Sequence, residues 1–253
     1  MKGVILAGGL GSRVYPLTYA TNKHLLPIYD KPMIYYPIQT LVKAGITEIL
    51  IVVSGPHAGH FIPVLKNGKE FGVQHLEYAY QEKPDGGIAD ALLLAEDFAD
   101  NHSIMTILGD NTTDADVSVP VKNFEEGALI FLKKVPDPKR FGVPTFDPRD
   151  PSKIIEIIEK PEKPKSDYAV TGLYIYDKNV FKYIKQCKPS YRGELEITDV
   201  NNIYIKNKAL VWAELNGYWL DAGTHETLFA ANLYWANKKR TALLEKLIKE
   251  TVR

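Results

Sequence analysis

The chain balances 31 Lys and Arg against 31 Asp and Glu over 253 residues, and zero net charge speaks against a nucleic-acid binder, which carries a basic excess or stripe. A lone cysteine, Cys187, excludes an intrachain disulfide and reads as an inert thiol. No apolar run approaches membrane-spanning length, and Met1-Lys2 leads straight into a strand-like segment without a secretory leader. A soluble cytoplasmic protein is therefore expected, with a length that suits one large α/β domain or a large and a small one.

Strand and helix patterns alternate through the first half. Lys2–Ala7 is a short apolar run of buried-strand type. Met33–Ala44 has helical spacing and stops at Gly45, a good helix terminator. Glu48–Val53 is an apolar strand core, His60–Leu65 a short helix, Gln74–Tyr80 a strand, Gly87–Phe98 a helix and Ser103–Leu108 a strand. This alternation predicts a mostly parallel sheet flanked by helices, with ligands beyond the carboxyl ends of its strands. Gly8–Arg13, Gln81 and Asp110 all fall on that edge.

The middle of the chain differs. Ala128–Lys134 is a strand, and a proline-rich stretch follows with Pro136, Pro138, Pro144, Pro148 and Pro151. Lys153–Glu159 and Tyr168–Tyr176 are strand-like, Glu194–Lys206 has helical character, and Ala209–Leu215 is a strand. His225–Glu250 is a long helix with Leu228, Ala231, Ala236, Leu243 and Leu247 among its apolar positions. The expected organisation is a single α/β domain over 1–253, with a nucleotide-binding half over 1–127, an inserted sugar-binding half over 128–224 and a C-terminal helix over 225–253.

The loop after the first strand reads Gly8, Gly9, Leu10, Gly11, Ser12, Arg13. Glycines after a strand let the backbone bend tightly and turn N–H groups toward an anion, and Arg13 adds a planar donor fork suited to phosphate. This is not a Walker A loop, since no Gly-Lys-Ser/Thr follows. Nor is it a dinucleotide fingerprint, since Val14 holds the third glycine position. A plain glycine turn is the bland alternative.

Longer motifs go further. G-G-L-G-S-R-V-Y-P-L-T at Gly8–Thr18, N-K-H-L-L-P-I at Asn22–Ile28 and D-K-P-M at Asp30–Met33 are followed by L-G-D-N at Leu108–Asn111 and E-K-P at Glu159–Pro161. V-T-G-L-Y at Val170–Tyr174, R-G-E-L-E-I-T-D at Arg192–Asp199 and W-L-D-A-G-T at Trp219–Thr224 complete the series. Together they resemble the sugar-1-phosphate nucleotidylyltransferases along nearly the whole chain, and most of all the thymidylyltransferase branch. The resemblance implies a Rossmann-like nucleotide-diphospho-sugar transferase fold, dTTP and glucose 1-phosphate as substrates, Mg²⁺ as cofactor and a homo-oligomer.

It also implies site residues. The triphosphate would be held by Gly8, Gly9, Gly11, Ser12, Arg13 and Lys23, and the base by Gln81 and Gly86, with Gly87 giving the base room. The sugar phosphate would be held by Asn111, Gly142, Glu159, Lys160, Val170 and Arg192. Asp110 and Asp221 would hold the metal, and Asp110 also faces the nucleotide. Arg13, Lys23 and Lys160 are the catalytic cations. Joining two polyanions needs positive charge rather than a base, because a phosphate monoester with a second pKa of about 6 is already mostly ionised. One departure is Phe141, where close family members tend to have Tyr before the glycine of the sugar pocket.

Bland readings stand beside these: a solvated lysine for Lys23 or Lys160, a helix cap for Asp221, a pocket wall or core for Trp219. His57 and His60 lie three apart without a carboxylate partner and make a poor metal pair. Rival functions are the same transfer with UTP or another sugar phosphate, a glycosyltransferase using the D-x-D triplet Asp114-Ala115-Asp116, and a silent nucleotide-sugar binder. In that triplet, Asp114 or Asp116 could instead cap the helix near Val117–Glu125. Family members commonly continue past the long helix into segments that build a feedback site, so ending at Arg253 leads to an expectation of weak or absent feedback.

Overall fold

The computed structural model describes residues 1–251. In chain order, β1 (Lys2–Ala7), the hairpin β2 (Pro27–Ile28) and β3 (Lys31–Pro32), α1 (Tyr35–Lys43), β4 (Glu48–Ser54), α2 (Phe61–Leu65), β5 (His75–Gln81), α3 (Ile88–Leu93), α4 (Glu96–Ala99) and β6 (Ile104–Leu108) form the first half. There follow β7 (Asn111–Thr113), α5 (Ser118–Asn123), β8 (Ala128–Lys134), β9 (Gly142–Asp147), β10 (Asp150–Glu159), β11 (Tyr168–Tyr176), α6 (Val180–Ile184), α7 (Ile197–Lys206), β12 (Leu210–Glu214), β13 (Trp219–Asp221) and α8 (His225–Thr251).

One seven-stranded sheet carries the order β12-β8-β11-β6-β1-β4-β5. Its neighbours are parallel except at β11, which runs antiparallel to both β6 and β8. Strands of both halves thus share one hydrogen-bonded sheet. Period-two alternation sorts its side chains between two cores. Val4, Leu6, Leu50 and Val52 face one, with Leu92, Phe98 and Tyr204 packed over them. Ile5, Ala7, Ile49, Ile51 and Val53 face the other, under Ile38, Leu41 and Phe61. Burying one such side chain contributes roughly 1.5–3 kcal/mol, so β1 and β4, apolar on both faces, can only sit at the centre. A third cluster seats Leu228 and Ala231 of α8 on Val14, Ile28, Met33 and Ala222.

Several elements differ from the sequence reading. The expected helix over Gly87–Phe98 is two helices, because the N–H groups of Leu94 and Ala95 bond three residues back, to Ala91 and Leu92. Such a tightening keeps the same apolar face and escapes periodicity. The helix expected from Glu194 begins at Ile197. Its lead-in is held extended by the Leu195 N–H donating to Gly86 O (2.8 Å) and the Ala89 N–H donating to Leu195 O (3.1 Å). Residues 252–253 and the side chain of Leu247, both part of the expected last helix, lie outside what is described.

Short strands escaped notice altogether. Within the proline-rich stretch, β9 pairs antiparallel with β10. The pairing of β7 with β13 sets Asn111 opposite Asp221. That second pair has the larger consequence, because it bridges two distant motifs.

Candidate active site

An open cleft of about 350 Å³ lies beyond the carboxyl ends of β1, β5 and β6. Gly8, Gly9, Arg13, Lys23, Gln81, Asp110, Asn111, Gly142, Glu159, Lys160, Val170 and Asp221 all line it. Sequence positions from both halves of the chain therefore meet in one place.

The two aspartates meet through the β7–β13 pair. Asp110 immediately precedes β7, and its carbonyl accepts from the Ala222 N–H at 2.9 Å. A methyl added at Gly223 would sit 2.6 Å from Asp221 Oδ1, 2.8 Å from Arg13 Nη2 and 3.3 Å from Asp110 Oδ2. Two carboxylates and a guanidinium thus crowd one backbone position that only glycine can leave open. Lys23 Nζ donates to Asp110 Oδ2 at 2.5 Å, both side chains being largely buried. The Lys23 stem is itself packed on the glycine turn. Gly11, at φ 66°, would clash with Thr18 and the Lys23 Cβ if it carried a side chain.

The electrostatics of the two carboxylates are opposite. Burial works against ionising Asp110, but Lys23 and Arg13 outweigh it and hold the carboxyl below the ordinary range. Asp221 Oδ1 is buried without a hydrogen-bond partner. Burial first, and the neighbouring Asp110 second, push its carboxyl up to about 6. Beside them His24 is buried, with Nδ1 donating to Asn22 Oδ1 at 2.8 Å. Burial and the Lys23 charge lower its pKa to about 3, so it is neutral and adds no positive charge to the site.

An orphaned carboxylate oxygen facing a second carboxylate is a poor arrangement by itself and a good one for a hard cation. Oxygen-only donors suit Mg²⁺, which takes one or two protein carboxylates and fills its remaining positions with water and phosphate oxygens. Among the described residues no group of three or more His, Cys, Asp or Glu could hold a metal ion. Asp110 and Asp221 therefore fit the sparse kind of magnesium site.

Asn111 ties this centre to the second half of the chain. Its Nδ2 donates to Asp110 Oδ1 at 3.0 Å. Its Oδ1 accepts from the Gly172 N–H at 3.0 Å and from Trp219 Nε1 at 2.7 Å. The β11 ladder is irregular between Val170 and Tyr174, which frees the Gly172 N–H for this bond. Trp219 both walls the cleft and packs with its ring tilted against that of Phe141, centroids 5.4 Å apart. Elsewhere in the lining Glu159 Oε2 accepts from Thr198 Oγ1 at 2.6 Å. Lys160 stands at φ 46°, a left-handed conformation that costs a non-glycine residue roughly 1–2 kcal/mol and is kept where the surroundings over-determine it.

Four expected site residues do not line the cleft. Gly11 and Ser12 lie behind the turn, with Ser12 exposed. Gly86 is roofed by Asp90, whose Oδ2 a methyl would meet at 2.4 Å. Arg192 turns its guanidinium to Glu196, Nη2 donating to Oε1 and Oε2 at 2.8 and 2.9 Å, with Glu194 3.2 Å away. Sequence reasoning passed over His24, Asp85, Arg140, Gly172, Tyr174 and Thr198, which do line it. Of these, His24, Gly172, Tyr174 and Thr198 stood inside quoted motifs, and Arg140 directly precedes Phe141 and Gly142 of the expected sugar pocket.

The D-x-D triplet is structural. Asp114 Oδ1 accepts from the Tyr218 N–H at 2.7 Å, and Oδ2 accepts from Tyr234 Oη and Lys238 Nζ of α8. Asp116 Oδ1 accepts from the Ser118 N–H that opens α5 (3.0 Å). Asp114→Ala is therefore expected to lower thermal stability, by roughly 1–2 kcal/mol for the lost hydrogen bonds. It should also keep turnover within about threefold of the parent at temperatures where it is folded, because no interaction confined to the transition state is removed. Thermal melts and initial rates on one sample check both.

The nucleotidyl transferase family model matches residues 2–238. The chain belongs to this family. It is 44% identical over 237 residues to the glucose-1-phosphate thymidylyltransferase of Neisseria meningitidis serogroup A, covering 91% of this chain and 81% of that one. It is 47% identical over 236 residues to the enzyme of the same name from Xanthomonas campestris pv. campestris, covering 91% and 79%. A solved Bacillus anthracis chain, described as a glucose-1-phosphate thymidylyltransferase in complex with sucrose, superposes with a TM-score of 0.86 at 51% identity, covering 92% and 94%. UDP-glucose pyrophosphorylase, solved with UDP-glucose, superposes at 0.81 with 24% identity and supports the fold alone. The mostly parallel α/β sheet expected from the sequence is thus the architecture of the family. No helix among the described residues is long and apolar enough to cross a membrane.

Proposed function

We propose that this nucleotidyltransferase joins the thymidylyl group of dTTP to glucose 1-phosphate, forming dTDP-glucose and releasing pyrophosphate. One observation carries the reading: two convergent carboxylates and two cations, Arg13 and Lys23, line the same cleft as Gln81, Glu159 and Lys160. The names of relatives with 44–47% identity support the choice of substrates.

In this reading the attacking group is an oxygen of the sugar phosphate. It bonds to the α-phosphorus as the bond to the α–β bridging oxygen breaks, and pyrophosphate leaves on the opposite side. Each sugar phosphate carries about −1.5 to −2 charges near pH 7, so repulsion between the substrates is the barrier to lower. Gly8, Gly9 and Arg13 hold the triphosphate. Lys23, fixed by Asp110, holds a phosphate oxygen near the reacting centre, and Lys160 holds the sugar phosphate. Mg²⁺ on Asp110 and Asp221 would neutralise charge on the phosphates it binds. The protein supplies position and charge and no general base. A cytoplasmic homo-oligomer completes the proposal; the exposed Phe229, Leu233, Leu243 and Leu244 of α8 support self-association, and light scattering checks it.

A pyrophosphate-release assay across a matrix of nucleoside triphosphates and sugar 1-phosphates tests the function. The expected result is highest turnover with dTTP and glucose 1-phosphate. Nucleoside diphosphate release in place of pyrophosphate would make it a glycosyltransferase, and a uridine optimum would shift it to the sister reaction, since uracil offers the same pairing edge.

The acidic limb of the rate profile is expected at the second ionisation of the sugar phosphate, about pH 6. Asp221 alone could titrate in the same region, so position does not separate them. A sugar phosphonate of different pKa should move the limb with it; a limb that stays put assigns the titration to the protein.

A further inference from the structure

Gln81 ends β5 and is 3% exposed. Its Nε2 donates to Asp90 Oδ2 at 2.8 Å and, more weakly, to Gly87 O at 3.4 Å. Both partners can only accept, an ionised carboxylate and a backbone carbonyl. The orientation of the Gln81 amide is therefore forced by chemistry, since the reversed amide would set two acceptors against each other. The nitrogen faces away from the glycine loop with its protons taken. Oε1 faces Gly8, so close that a Cβ there would lie 2.8 Å away.

Asp90 is held in turn. It sits on α3 and presses on Gly86, where a Cβ would meet its Oδ2 at 2.4 Å. Gly8 and Gly86 thus bracket the Gln81–Asp90 pair, one glycine making room for each end. From the family resemblance these glycines are expected to wrap phosphate and to admit a base. The structure adds the task of admitting a locked amide.

We propose that Asp90 is a positioning residue for base specificity: by fixing Gln81 as a pure acceptor toward the cleft, it selects a pyrimidine with a protonated N3 and rejects cytosine. Thymine and uracil carry N3–H, which Gln81 Oε1 accepts. Cytosine presents a lone pair at N3, and that pair meets the oxygen head-on. This rests on the nucleotide lying with its base at Gln81, as the proposed function has it. An amide free to turn would accommodate either base, which is why the lock, and not Gln81 alone, discriminates.

The test uses the isosteric Asp90→Asn and the apolar Asp90→Leu, with circular dichroism to confirm folding. Initial rates of pyrophosphate release are measured with dTTP and with dCTP, and dTMP and dCMP binding is measured by calorimetry. Asp90→Asn can donate to Gln81 Oε1 and so permits the turned amide. The ratio of kcat/KM for dTTP over dCTP is expected to fall at least ~10-fold in both variants, about what one unmatched polar contact is worth. The loss should come mainly from a higher KM for dTTP, with the dTMP-over-dCMP binding ratio falling in parallel. A purely structural Asp90 would change rates for both nucleotides alike. An unchanged ratio in a folded variant overturns the proposal, as does a parent enzyme that uses dCTP as well as dTTP. Failure of the proposed reaction looks different: the parent then releases no pyrophosphate with any thymidine or uridine substrate.

Discussion

Asp221→Asn should give a protein more stable than the parent and nearly inactive. The parent carboxylate is buried, lacks a hydrogen-bond partner at Oδ1 and is repelled by Asp110. Its carboxyl is raised from 3.8 to about 6 by burial and by that neighbour. A raised carboxyl destabilises the fold once it is ionised. As pH climbs past the unfolded value the unfolded chain loses its proton first, so stability falls between about pH 4 and 6 and stays low above. At 1.36 kcal/mol per pKa unit the gap amounts to about 3 kcal/mol. In EDTA at pH 7.5 the amide should therefore melt several degrees higher than the parent, and the difference should vanish near pH 4. Mg²⁺ should stabilise the parent by mass action and the variant much less. Turnover should fall by about 10²–10³, the loss expected when several kcal/mol of metal-borne charge stabilisation goes. Full activity at low Mg²⁺, or a lower melting temperature, would remove Asp221 from the metal site.

Asp110→Asn is expected to lose as much activity and, unlike Asp221→Asn, to lose stability. Lys23 Nζ, 2.5 Å from Asp110 Oδ2 and largely buried, would keep its charge and lose its partner. Breaking a buried pair from one side costs about 3–5 kcal/mol. The pH sense is also reversed. The Asp110 carboxyl is held below its ordinary value by Lys23 and Arg13 against the opposing effect of burial. Its contribution is thus present above the unfolded carboxyl range and lost in acid. Isosteric substitutions at two touching residues should shift the melting temperature in opposite directions. The double variant should not be additive, because the repulsion between the carboxylates disappears with either one.

What could be read from the sequence follows physical range. β8 and β11 have the limits their apolar runs gave, since a strand buried on both faces states itself locally. The three-residue strands β7 and β13 carry no such signal, being shorter than any periodicity, and they are what bring Asp110 to Asp221. That adjacency was accessible only through the resemblance of L-G-D-N and W-L-D-A-G-T to a family. Asp90 was invisible for a different reason. On α3 it takes the place of an ordinary polar helix position, and its meaning depends on Gln81 nine residues earlier turning an amide toward it. Arg192 is the converse case: a cation whose motif says nothing of its neighbours, and whose guanidinium is engaged by Glu196 and Glu194.

The bond from the Gly172 N–H to Asn111 bears on how this enzyme could be re-engineered or could diverge. Changing sugar preference would most simply proceed by substitution along β11, where Val170 and Tyr174 face the cleft. Between them Gly172 has no room: a single methyl would sit 2.6 Å from Asn111 Oδ1, and Asn111 is the side chain that holds Asp110. A change made to suit a new sugar would be transmitted to the phosphate chemistry within two contacts. Retargeting libraries should therefore leave Gly172 and Asn111 fixed and vary the strand on either side. A lineage acquiring a new acceptor is expected to carry both residues unchanged while the rest of the pocket drifts.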